Sequence, residues 1–136
     1  MLLATFALAC LITQAVSAPM SLSGVVALTS GKTLPCVARS LDGRTSWPCR
    51  IRFSRFDGHS GKISGEVTWT TLRSIHVVEG ELHGGRLKFT ETRAIRRGDA
   101  ELNVSYDLQL GARSAVGGWT DRRGRSRGPM SITLSP

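Results

Sequence analysis

The chain has 136 residues, with 18 Lys and Arg against 10 Asp and Glu, a formal net charge of +8 and a pI near 10.7. That length excludes a multidomain organisation. The excess of positive charge points to polyanions such as acidic glycans, nucleic acid or anionic lipid head groups, although arginine outnumbers lysine 15 to 3 and a GC-rich genome produces that bias without any ligand.

Residues 1–18 (MLLATFALACLITQAVSA) carry no charged side chain, have a core of Leu, Ala, Phe and Ile, and end in small residues. The run is too short to cross a bilayer and no basic flank follows it, so the expectation is a secretory signal peptide ahead of a single domain over 19–136. A mature chain so defined has no transmembrane span and is secreted, to the extracellular space or a periplasm. The competing expectation is an uncleaved apolar tail or first strand. Losing this segment removes Cys10 and leaves Cys36 and Cys49, an even pair that in an exported chain predicts a disulfide.

From Met20 to Leu28 the sequence MSLSGVVAL reads as a first strand, and Thr33 to Ala38 (TLPCVA) as a second whose Pro35 argues for a sheet edge. Ser40 to Pro48 is turn-rich, with Asp42-Gly43 inside it. Alternation then begins. Cys49, Ile51 and Phe53 oppose Arg50, Arg52 and Ser54, and after the Asp57-Gly58 hairpin Ile63, Gly65, Val67 and Trp69 face inward along Lys62 to Thr71. Between Ile75 and Leu82 the alternation breaks at Val77-Val78, which predicts a β-bulge near Gly80. Arg86 to Arg93 follows with Leu87 and Phe89 inward, and Ile95 to Asp99 is the next turn.

The clearest period of two runs from Ala100 to Leu110, with Leu102, Val104, Tyr106, Leu108 and Leu110 on one face and Glu101, Asn103, Ser105, Asp107 and Gln109 on the other. Ala115 to Thr120 makes a Gly-weakened strand ending in Trp119. Asp121 to Gly128 is a basic tip, and Met130, Ile132 and Leu134 alternate in a closing strand. No helical period follows the signal. The fold class is all-β, an antiparallel meander of about eight strands forming a closed up-and-down barrel or a two-sheet sandwich; closure favours the barrel because it removes exposed edges. In layout, with Gly117-Gly118-Trp119 near the end, the chain resembles the calycin barrels. The lipocalin Gly-x-Trp belongs on a first strand and this one is on the penultimate strand, so no family follows from the likeness.

Catalytic signatures are missing: there is no Gly-x-Ser-x-Gly, His-Glu-x-x-His, phosphate-cradling Gly loop or Cys-x-x-Cys. His76, Glu79, Glu81 and His83 lie within eight residues, yet the spacing does not bring three of them to one ion, so no metal, cofactor or catalytic residue is assigned. Asp57, His59 and Ser60 contain the residue types of a hydrolase triad on one hairpin tip. Arg97-Gly98-Asp99 spells an integrin-binding tripeptide and Asn103-Val104-Ser105 a glycosylation sequon, placed in mid-strand.

The ligand-binding candidates are Arg122, Arg123, Arg125 and Arg127 on the basic tip, with Arg96 and Arg97 on a second turn. Guanidinium groups pair bidentately with phosphate or sulfate, and two turns apart in a meander means the same end of it. The functional expectation is a secreted, non-enzymatic binding module for an anionic polymer or surface, taking a small apolar ligand as well if the barrel encloses a cavity. The alternative is a small secreted hydrolase or metal-dependent enzyme using His76 or His83.

Overall fold

The computed structural model describes residues 21–135. The signal-peptide expectation for 1–18, and Cys10 with it, therefore lies outside the described residues. Among the described residues eight strands follow one short helix: α1 Leu22–Leu28, β1 Leu34–Arg39, β2 Ser46–Phe56, β3 Lys62–Trp69, β4 Ser74–His83, β5 Arg86–Arg96, β6 Ser105–Leu110, β7 Ser114–Thr120 and β8 Arg127–Thr133. Each strand pairs antiparallel with the next, and β1 pairs with β8, which closes an up-and-down barrel and settles barrel against sandwich. Inward positions are filled by Ile51, Phe53, Val67, Val78, Leu87, Leu108 and Ile132, all essentially inaccessible to solvent.

Cys36 and Cys49 stand directly opposite each other in the β1–β2 register with Cα atoms 4.9 Å apart, and they are disulfide-bonded. Gly80 sits where the Phe89 backbone approaches so closely that a Cβ would overlap the Lys88 carbonyl oxygen. It marks a close approach of the paired β5 backbone, not a bulge. The irregularities lie on the partner strand instead, where Ile95 and Thr92 of β5 are passed over in the pairing with β4. One of these shifts does fall at the Val77–Val78 step where the alternation was expected to break, but the extra residue is on β5 and not near Gly80, because Ser74, His76 and Val78 keep strict inward parity along β4.

Three further expectations are corrected. The apparent first strand is α1: the Ser21 hydroxyl accepts a hydrogen bond from the Gly24 N–H at 3.2 Å as an N-cap, and Thr29 N–H donates to the Val25 carbonyl at 3.0 Å. With the fully buried Leu28 and with Gly24 packed on the Gly111 carbonyl, α1 plugs the barrel end that carries the β2–β3, β4–β5 and β6–β7 turns. Tertiary burial has overridden a β-prone composition. Pro35 lies on no sheet edge, since the barrel is closed; it precedes the β1 residues that pair with β8.

The long alternating run is strand only from Ser105. Residues 97–104 form a loop, because Asn103 takes a left-handed φ of 63° and its N–H bonds the Glu91 carbonyl while Glu91 N–H bonds Val104. The sequon is consequently on an exposed loop, not in mid-strand.

Candidate functional site

The barrel interior is purely apolar towards the helix, where Phe53 and Phe89 meet edge to face among aliphatic side chains, and changes character towards the opposite end. There β3, β4, β5 and β6, four consecutive strands, send polar or aromatic side chains inward: Trp69, Ser74 with His76, Glu91 and Tyr106. Glu91 is the hub. Its Oε1 accepts the Trp69 indole N–H at 2.6 Å and lies 2.8 Å from His76 Nδ1, and its Oε2 accepts the Tyr106 hydroxyl at 2.6 Å. An ionised carboxylate can only accept, so the hydrogen in the second contact belongs to Nδ1. Glu91 and His76 are each 1% exposed, and the three donors supply the compensation that burying a carboxylate requires. Burial, reinforced by the neighbouring Glu91 charge and hydrogen bond, pushes the Tyr106 phenol well above its usual range, which keeps it a donor.

Above this hub opens a cavity of 280 Å³ whose walls include Trp47, Trp69, Tyr106 and Trp119 and whose rim carries Asp99, Glu101 and Asp121. Trp47 and Trp119 meet edge to face with centroids 5.8 Å apart, and the Trp119 indole donates to the Arg39 carbonyl at 2.8 Å. On the far side of this tryptophan pair lies an outer groove of 870 Å³ between the β1–β2 and β7–β8 loops, bordered by Arg125 and Arg127. A larger concavity of 1050 Å³ covers the outward face from β2 across to β7, but Lys62 and Lys88 alternate there with Glu79, Glu81 and Asp107, so it favours neither charge.

Strand direction places Arg97 and the tip residues Arg122, Arg123 and Arg125 in the β5–β6 and β7–β8 loops, with Arg96 and Arg127 on the adjoining strand ends, all at the end opposite α1. The two loops flank the cavity mouth. All six guanidinium-bearing residues are exposed. The Arg-Gly-Asp turn is folded back on the β3–β4 loop, where Asp99 N–H bonds the Leu72 carbonyl at 2.8 Å.

The histidines do not converge. His76 is inside the barrel near one end, whereas His83 is exposed at the other, 3.5 Å from Glu81, and the seven residue steps along the strand from one to the other span about 23 Å. His59 is exposed on its hairpin tip, where its backbone N–H, followed by the Ser60 hydroxyl, holds the Asp57 carboxyl below the usual range. Asp57 there stabilises a turn instead of orienting an imidazole. Among the described residues no three His, Cys, Asp or Glu side chains are placed to hold a metal ion.

The spacing grouped His76 with Glu79, Glu81 and His83 along one strand and gave Glu91 no role, so the hub across four strands was not legible from it. The signal was present in strand parity: Leu87 and Phe89 are inward, and two residues further on comes Glu91.

No protein-family model matches this chain, and neither a curated protein nor a solved structure matches it. Function must therefore be argued from the site itself.

Proposed function

We propose that this protein is an exported, non-enzymatic β-barrel binding module that holds an anionic polymer or anionic surface on the end of the barrel opposite α1. One observation carries the proposal. Besides the six arginines of the two loops, Arg39, Arg44 and Arg73 stand at the same end, so half of the chain's 18 basic residues collect there against Asp42, Asp99, Glu101 and Asp121. Among the described residues none of these nine guanidinium groups forms an ion pair. Unpaired arginines at one end of a small domain create a field that adds locally and attracts phosphate or sulfate.

The outer groove supports the same conclusion, because Arg125 and Arg127 border it beside the faces of Trp47 and Trp119. Export is supported by the Cys36–Cys49 disulfide, which persists in oxidising compartments. Among the described residues no helix is long and apolar enough to cross a membrane. An enzyme built on His76 and His83 has less support, since the two rings lie at opposite ends of the barrel.

Retention on heparin, DNA and anionic vesicles at low salt tests the proposal. Affinity is expected to fall log-linearly with salt, by about 0.7 to 0.9 per phosphate contacted. The quadruple variant R122S/R123S/R125S/R127S should flatten that dependence while its melting temperature stays near wild type, because exposed charges contribute little to stability. Failure of all three matrices to retain the wild type would overturn it.

A further inference from the structure

The inner cavity has a charge opposite to its surroundings. It is bordered by four of the chain's 10 carboxylates, Glu91, Asp99, Glu101 and Asp121, and by none of its 18 lysines and arginines, although nine arginines stand at the same barrel end. We propose that this cavity is a binding site for a small organic cation, an ammonium group on an aromatic or aliphatic body.

The walls specify the chemistry. Trp47, Trp69 and Trp119 are all the tryptophans of the chain, and all three line the cavity together with its single tyrosine, Tyr106. An indole face attracts a cation through its quadrupole, more strongly when the pair is shielded from water. Trp47 and Trp119 remain only half-buried at the mouth, so they offer apolar area that an entering ligand covers. A volume of 280 Å³ is at the lower end of ligand sites and suits a compact amine.

The carboxylates specify the sign. A carboxylate presents about four acceptor positions. Glu91 uses three of them on Trp69, His76 and Tyr106, which leaves capacity for one more donor where it borders the cavity. Asp99 and Glu101 engage no other side chain by hydrogen bond or ion pair among the described residues, and both lie on the loop that overhangs the mouth. Because the carboxylates do not converge as metal ligands, they suit a diffuse charge better than a point charge. The surrounding arginines are exposed, so salt and water screen their repulsion of an approaching cation more than they screen its attraction to the buried Glu91.

The test uses three probes of one shape: 2-phenylethylammonium, the neutral 2-phenylethanol and the anionic 3-phenylpropionate, titrated into the oxidised protein by tryptophan fluorescence and calorimetry. The ammonium is expected to saturate at sub-millimolar concentration, at least about tenfold more tightly than the alcohol. The anion is expected not to saturate.

The double variant D99N/E101Q should lose about tenfold in ammonium affinity with an unchanged melting temperature. The variant R122S/R123S/R125S/R127S should bind the ammonium at least as well as wild type, which separates this site from polyanion binding on the outer arginines. Equal affinity for the alcohol and the ammonium would make the cavity merely apolar and overturn the proposal. Saturation by the anion, no saturation by the ammonium, or indifference to D99N/E101Q would each do the same.

Discussion

The Trp69 indole N–H and the Glu91 carboxylate meet at 2.6 Å inside the barrel although 22 positions separate them in the chain. β3 and β5 do not pair; β4 lies between them, and its His76 completes the contact from the intervening strand at 2.8 Å. Tyr106 on β6 closes the hub from the other side. The open half of the barrel is thereby organised by one acceptor shared among three donors.

Replacing that acceptor should be costly. Glu91→Leu leaves three buried donors without a partner, and the expected loss is about 3–5 kcal/mol, comparable to breaking a buried ion pair. Tyr106→Phe, which removes one donor to a charged group, should cost about 1.5–3 kcal/mol. Urea unfolding of the two variants beside wild type measures both; a Glu91→Leu loss no larger than that of Tyr106→Phe would contradict the hub.

The same hydroxyl gives a pH signature. Tyr106 is the only tyrosine in the chain, so ultraviolet absorbance of phenolate reports it alone. The native protein should show no phenol ionisation near pH 10, whereas the urea-unfolded chain should titrate there normally. Since the folded phenol holds its proton when the unfolded one has lost it, the contribution is fully present below pH 10. It declines by about 1.4 kcal/mol per pH unit above that. A native titration with a midpoint at the ordinary phenol value would refute the burial of this group.

Between Cys36 and Cys49 the disulfide closes a loop with a sequence separation of 13. In the chain-entropy account such a loop contributes about 3 kcal/mol, acting mainly on the unfolded chain. The double variant C36S/C49S should lose about 2–4 kcal/mol and remain a barrel, because the β1–β2 ladder around it is continuous. Intact mass before and after reduction, with circular dichroism of the variant, checks both parts.

Period-two patterning made the architecture legible because half-buried strands need it: Ile63, Val67 and Trp69 on β3, and Tyr106, Leu108 and Leu110 on β6, are inward as their parity requires. The cysteine pair was equally legible, since Cys36 and Cys49 are the two cysteines outside the apolar N-terminal stretch and a single pair leaves one possible bridge. Turn parity along the meander already put the two arginine loops at one end.

Only the tertiary structure decided the rest. LSGVVAL became a helix because a barrel end needed a lid and Ser21 was there to cap it. Residues 101–104 kept their alternation yet left the sheet, because the backbone turns away at the left-handed Asn103, just past its last bonds to Glu91 of β5. Glu91 and His76 are buried for a reason that hydrophobicity along one strand does not contain: a polar group can face a core only if its partners arrive from other strands, and Trp69 and Tyr106 reach it through register and closure alone.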